Sequence, residues 1–233
     1  LAQSLVRSGG FEGFVVESWE AGGHNAPPRG SRGIEDQPVY GERDQPNLER
    51  IRQFGVPFWL AGRRASADGL REALALGAQG VQVGTVFAFC HESGMDGTLR
   101  LRALRAIRED RARIVTEGRA SPTGFPFKVL RLEGTEGGRA SDDPRQRQPC
   151  VMGYLRHPVR QEDGTVIWRC AAEPESDWVR KGGKPEDARG RRCICQGLTA
   201  TAGHAHAMRD GGIELPLIPA GDDLAAVLAI LGD

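Results

Sequence analysis

The sequence predicts an α/β fold whose strands run parallel and are joined by right-handed helical crossovers. Three observations carry that prediction. Short apolar runs at Phe14-Val-Val16, Pro57-Phe-Trp-Leu-Ala61 and Gly80-Val-Gln-Val83 have the length and side-chain type of buried strands. Stretches with helical spacing separate them. Each run closes on glycine, at Gly22-Gly23, Gly62 and Gly84, the residue that lets backbone turn sharply or approach a ligand closely.

Taken in order, residues 1–7 are apolar-periodic and end at Ser8-Gly9-Gly10, a helix stop. The strand around Phe14–Val16 should be buried on both faces and should display His24 in the loop just past its carboxyl end, where α/β folds place their chemistry. Pro27 and Pro28 stiffen the backbone after it, and residues 31–46 read as irregular surface chain. A helix is expected from Asn47 to Phe54. Another starts at the capping Ser66, turns Leu70, Ala73 and Leu74 inward and ends at Gly77. The third strand ends at Gly84-Thr85. A basic helix over 98–109 puts Leu99, Leu101, Leu104 and Ile107 on its apolar side. Residues 114–116 read as a short strand, 129–132 as helix or strand, and 182–190 as loop. The final helix, 222–231, has an apolar face of Leu224, Val227, Leu228 and Leu231.

This divides the chain into an α/β part, 1–132, a linker or surface loop, 133–149, and a cysteine-containing irregular extension, 150–233. The division rests on a shift to Gly, Asp, Arg, Gln and Pro over 133–149 and on four of five cysteines lying beyond it.

Composition narrows the function. Acids and bases balance at 31 each, which gives no electrostatic case for nucleic acid or an anionic membrane as partner. No apolar run approaches the roughly 18 residues that span a bilayer. Five cysteines, an odd number, do not suggest a secreted disulfide framework, so a reducing cytoplasm is expected. Cys150, Cys170, Cys193 and Cys195 are poorly spaced for zinc. Cys-Ile-Cys is a residue shorter than the usual Cys-x-x-Cys knuckle, so no metal is expected and buried free thiols are. Cys90 reads as core, and His204 and His206 as surface.

The turns Ala61-Gly62 and Gly84-Thr85 close consecutive parallel strands. In a (β/α)8 barrel such strand ends form a phosphate site from backbone N–H groups and a helix start, with the Thr85 hydroxyl as a further donor.

The residues that carry these features resemble a family. Ala-Gly-Gly-His-Asn-Ala-Pro-Pro-Arg-Gly at 21–30, Pro-Phe-Trp-Leu-Ala-Gly at 57–62, the segment at 80–94 and Ala-Ser-Pro-Thr-Gly-Phe-Pro-Phe-Lys-Val at 120–129 are similar to nitronate monooxygenases, formerly 2-nitropropane dioxygenases, which are related to flavin-dependent enoyl-ACP reductases. Gly-Tyr-Leu-Arg at 153–156, Arg-Cys at 169–170, Cys-Ile-Cys-Gln-Gly-Leu at 193–198 and Ala-Gly-Asp-Asp-Leu at 220–224 resemble a longer subgroup of it. The resemblance implies the last three strands of an FMN-binding (β/α)8 TIM barrel plus a tail, with the opening half outside a chain that starts at Leu1. It implies that His24 is the active-site base or hydrogen-bond donor. Gly22, Gly23, Ala61, Gly62, Arg63, Gly84 and Thr85 would surround FMN, the last five around its phosphate. The implied reaction takes an alkyl nitronate or nitroalkane and O2 to a carbonyl compound and nitrite.

Two departures stand out. Arg63-Arg64 replaces the second glycine usual after Gly62. If the backbone there is ordinary, the Arg63 amide binds phosphate and its guanidinium adds charge pairing; if it needs φ > 0, the arginine is strained and FMN affinity suffers. Glu17-Ser18-Trp19-Glu20 is bulkier than the expected Gly-Pro-type turn. Two other functions remain open: an NAD(P)H-dependent FMN reductase of enoyl thioesters or quinones on the same fold, and an inactive truncated product or binding module. The second draws on the edges and half-core that an incomplete barrel exposes.

Overall fold

The computed structural model describes residues 2–31, 37–139, 149–208 and 211–232. Its first sheet is the expected one. Strands β1 (Phe14–Glu17), β3 (Phe58–Ala61) and β4 (Gly80–Gln82) pair in parallel in the order β1-β3-β4. Phe58, Leu60 and Ala61 are buried because β3 is central. β1 is an edge strand that alternates between half-buried and exposed, so Val15 faces out rather than into a two-sided core.

The crossover helix α3 (Ala67–Ala75) starts where Ser66 accepts the Gly69 amide in an N-cap. Its inward residues differ from expectation. Gly69 and Ala73 are buried, whereas Leu70 and Leu74 are 39% and 49% exposed. The helix lies too close for large side chains along that line: a Cβ on Gly69 would meet the Arg64 backbone at 3.0 Å. Helix α5 (Gly97–Arg108), capped by Asp96, buries Leu99, Ala103, Ala106 and Ile107 and leaves Leu101 exposed. Position 101 lies about 200° around the helix from 99, so the two cannot share a stripe. A short helix α4 (Thr85–Phe89) that the sequence pattern does not announce follows Gly84 directly, and Cys90 after it is half-buried.

The second sheet is antiparallel, where only parallel strands were expected. β5 (Arg113–Glu117) pairs with β6 (Phe127–Arg131), which settles residues 129–131 as strand. β6 in turn pairs with the two-residue β2 (Gly23–His24). His24 therefore sits on a strand rather than in a free loop. Gly23, at φ +85°, makes the turn that brings it there.

The tail does not stand apart. The Leu130 amide donates to Ile218 O at 2.9 Å, and α9 (Leu224–Leu231), capped by Asp223, lies against α4 and α5. Leu217, Ile218 and Val227 are among the most deeply buried residues of the molecule. The foreseen face of α9 packs there, with Leu224, Leu228 and Leu231 against the cluster of Phe89, Leu99 and Leu130. Of the stretch expected as linker, 140–148 lie outside the described residues, but Thr135, Glu136 and Gly137 form a buried turn. A Cβ on Gly137 would meet Leu130 O at 2.4 Å, so glycine permits that approach.

Residues 150–192 carry a hairpin, β7 (His157–Arg160) with β8 (Val166–Arg169), and two short helices, α6 (Glu175–Arg180) and α7 (Pro185–Ala188). The second lies in the stretch read as loop. Pro185 starts it, where a missing N–H costs nothing, and Ala188 is fully buried. Helix α8 (Ile194–Thr201) then leads back to the core. Among the described residues no helix is long and apolar enough to cross a membrane.

Candidate functional site

Six of the residues singled out in the sequence meet around one cavity. Gly22, Ala61, Gly62, Arg63, Gly84 and Thr85 come from three separate strand ends and line a space of about 370 Å³, a volume in the range of small-molecule sites. The seventh, Gly23, is not in that lining and serves the turn before His24. Gly62, at φ +100°, passes so close to Ser18 that a Cβ would collide with its hydroxyl. Gly22 is equally tight, since a Cβ would lie 2.7 Å from the Ala220 carbonyl carbon. The tail closes this wall: the Gly221 amide donates to Thr85 Oγ1 at 2.8 Å and the Asp222 amide to Glu20 O at 3.0 Å. Thr85 Oγ1 thus accepts from the protein and keeps its own proton to donate.

The donor set suits an anion. The first amides of α4 have no acceptor within the helix, and the cavity also holds the Arg63 and Arg64 side chains. Arg64 is engaged by Glu72 at 2.6 Å, while Arg63 lies 3.8 Å from Glu20. Asp223 is committed to the Ala65 and Ala226 amides. Of the two readings of Arg63, the backbone selects the second. Its φ is +52°, the left-handed region where a non-glycine residue is strained by about 1–3 kcal/mol.

His24 is outside this cavity. It lines the adjoining one, of about 340 Å³, with Glu17 common to both. Its Nε2 lies 2.8 Å from Ser121 Oγ, and its ring stands edge-on to Phe127 at 4.8 Å. Partial burial holds its pKa below the usual 6.5, so the imidazole is neutral at pH 7. Ser121 is fully buried, with Thr123 Oγ1 at 2.6 Å and the Thr123 amide donating to it at 3.2 Å. Beside them Asn25 is buried with Oδ1 lacking any donor among the described residues. An orphaned buried acceptor marks a place for a ligand N–H or O–H. Trp19 stacks on Tyr40 with ring planes 1° apart and centroids at 5.7 Å. The Tyr40 hydroxyl donates to Ala26 O at 2.8 Å, and its pKa is pushed up to about 12 by burial and by Asp44.

Ser121, Asn25, Trp19 and Tyr40 were not named as site residues from the sequence, although Asn25 and Ser121 fall in motifs that carry the resemblance and Trp19 in the bulky 17–20 turn. Neither were the two arginines that hold Ser121 in place. Arg191 Nη1 donates to Ser121 O at 2.6 Å and Arg119 O at 3.1 Å, and the Arg192 amide donates to Ala120 O at 2.8 Å. The Arg192 side chain, 2% exposed, forms a two-pronged pair with Glu117 at 2.8 and 3.0 Å and reaches the Glu136 carbonyl. A pair of arginines between Gly190 and Cys193 was the visible signal, and only burial gives it meaning.

Comparison with known proteins matches these regions. The family profile of nitronate monooxygenase covers residues 2–124. A nitronate monooxygenase of Pseudomonas aeruginosa is 34% identical over 132 residues, 54% of this chain and 35% of that protein. One of Paraburkholderia phytofirmans is 33% identical over 165 residues, 70% of this chain and 40% of that protein. Among solved structures, a FabK mutant (M276A) from Thermotoga maritima aligns over 57% of this chain and 37% of its own, at 26% identity and a TM-score of 0.39. The chain belongs to the nitronate monooxygenase family. The matches span little more than a third to two fifths of those two relatives' length.

Proposed function

We propose that this chain is the cofactor-phosphate and base-bearing part of an FMN-dependent oxidoreductase that oxidises alkyl nitronates or nitroalkanes with O2. On this reading β1, β3 and β4 are the last three strands of a (β/α)8 barrel completed by residues outside the chain, and the edge of β1 that is unpaired among the described residues suits a further strand. One observation carries the proposal: six candidate cofactor residues from three strand ends line one cavity, and His24 lines the next.

The first-turn amides of α4 and the Thr85 hydroxyl would hold the FMN phosphate, with glycine at 62 and 84 leaving the backbone open to it, and the Arg63 amide would add to them only from a strained backbone that weakens the hold. When bound, FMN supplies the electron acceptor for the substrate and the donor for O2. The protein's part is acid–base and positional. Ser121 engages Nε2 and holds the imidazole against Phe127. With Nε2–H donating to Ser121 Oγ, Nδ1 of the neutral ring carries the lone pair that takes a carbon-bound proton from a nitroalkane; in the other tautomer, with Nε2 accepting from Ser121, Nδ1–H donates to a nitro oxygen of a nitronate that has already lost it. Asn25 Oδ1 offers an acceptor at the same cavity.

The test uses the full-length protein, purified with its flavin and kept free of oxygen. Bleaching of the flavin by an added nitroalkane or nitronate is expected, and with the nitroalkane the rate falls about 10²–10⁴-fold in His24→Asn, the usual worth of a general base. Bleaching by NADH with none by nitronate would replace this reading with a reductase on the same fold. Absence of bound flavin would remove the cofactor assignment.

A further inference from the structure

The four cysteines beyond residue 149 are scattered in sequence but gathered in space. Cys150 precedes the β7–β8 hairpin, Cys170 follows it, Cys193 caps α8 and Cys195 lies in its first turn. All four line one small cavity of about 10 Å³, room for a single water-sized sphere. The tight Cys-Ile-Cys spacing does not stand in the way. Cys193 is extended (φ −77°, ψ 91°) rather than helical, so it and Cys195 both reach the cavity.

We propose that Cys150, Cys170, Cys193 and Cys195 form a structural tetrathiolate site for one zinc-type divalent ion.

Three further features support it. Backbone N–H donors of the kind that metal-bound thiolates use stand near all four sulfurs. The Gly153 amide donates to Cys150 Sγ at 3.2 Å, and the amides of Ala172, Gln196 and Leu155 approach the sulfurs of Cys170, Cys193 and Cys195. Second, Arg156 lines the same cavity with a buried Nε that has no acceptor among the described residues. Four thiolates and one divalent cation leave two negative charges, one of which this guanidinium would offset. Third, the segment needs a staple. The hairpin leaves Val166 and Trp168 exposed, and its neighbouring cluster is only Ala171, Trp178 and Ala188; a lone hairpin with so small a core is marginal in water.

Among the described residues no three such side chains already stand as a ligand set. The Cys193 thiol donates to Gln196 Oε1 at 2.9 Å. Binding therefore exchanges four S–H protons, released to solvent, for four metal–sulfur bonds, with rotation about Cα–Cβ drawing the sulfurs together. No oxidant is involved. A single ion fits the cavity; an iron–sulfur cluster is several atoms across and does not.

The test is the metal content of the full-length protein, grown with zinc, freed of any affinity tag and dialysed against metal-free buffer. About one zinc per chain is expected, tightly kept, as in closed structural sites built from four thiolates. Cys150→Ser and Cys195→Ser should lose it, while Cys90→Ser, whose thiol donates to Phe87 O, keeps it. Cobalt exchanged into the wild type should give the thiolate charge-transfer bands of a tetrahedral site. A strong chelator should lower the melting temperature of the wild type and leave that of Cys195→Ser unchanged. Wild type that stays metal-free after exposure to zinc and cobalt overturns the proposal. So does iron with sulfide in place of zinc, or a disulfide among these four residues in the freshly isolated protein.

Discussion

The cavity at Gly62 and Gly84 is walled largely by backbone from turns that follow strands, whereas the cavity at His24 is governed by side chains anchored far along the chain. In the first, Gly22 and Gly62 contribute by lacking a Cβ, and the candidate residues lie within a few positions of their strands. In the second, His24 meets Ser121, 97 positions away, and Ser121 is held by Arg191, a further 70 away. The two sites therefore fail in different ways. A backbone-built wall fails when a side chain is added. A side-chain network fails when one member is removed and its buried partners lose their counter-charge.

The largest effect tests that second kind of failure. Arg192→Met should destabilise the full-length protein by about 3 kcal/mol, because buried Glu117 would lose its two-pronged partner and keep only Arg131 at 3.7 Å, while Glu136 keeps Arg139 at 2.9 Å. Denaturant unfolding checks it. A change below about 1 kcal/mol would mean that the network does not hold the Ser121 turn, and the contrast between the cavities would collapse.

A smaller effect lies in the pH profile. His24 has a folded pKa below 6.5, so the folded state binds fewer protons than the unfolded state in the window beneath that value. Stability is therefore unpenalised above 6.5 and falls as pH drops through 6.5 toward the folded pKa. The acid limb of substrate-dependent flavin reduction, followed with a nitroalkane, should likewise lie below pH 6.5. Ser121→Ala, which removes the Nε2 partner, should move that limb. A rate lowered equally at every pH would assign Ser121 to packing alone.

The smallest effect tests the backbone-built cavity. Arg63→Gly should stabilise the protein by up to about 2 kcal/mol, the balance of two opposing effects. Relief of the left-handed strain is worth about 1–3 kcal/mol. Glycine's extra chain entropy offsets about 0.5–1 kcal/mol of that, and the exposed Glu20 pair little more. Its melting temperature should rise, and flavin retention should hold or improve. A loss of flavin would show that the guanidinium, not only the amide, serves the phosphate.

How far the sequence could be read follows the same division. The parallel sheet, the Ser66 cap and the face of α9 were legible because each depends on residues within a turn or two. The faces of α3 and α5 were legible in part: Ala73, Leu99 and Ile107 are buried as expected, but Leu70, Leu74 and Leu101 are exposed, and Gly69, Ala103 and Ala106 hold the close contacts instead. The antiparallel β2–β6–β5 sheet was illegible because nothing near Gly23 announces Lys128 as its partner. Spacing spoke against a cysteine cluster that the fold brings together around one cavity.

By itself the sequence determined the glycine turns, the strand–helix alternation and the identity of the candidate base. These follow from local sterics, from the period of apolar residues and from which side chains titrate near neutrality. Only the tertiary structure decided that Ser121 faces His24, that Arg63 lies in the left-handed region, and that the tail closes the wall at Gly22. Those depend on contacts between positions tens to hundreds of residues apart, where burial and close packing, rather than local preference, select the arrangement.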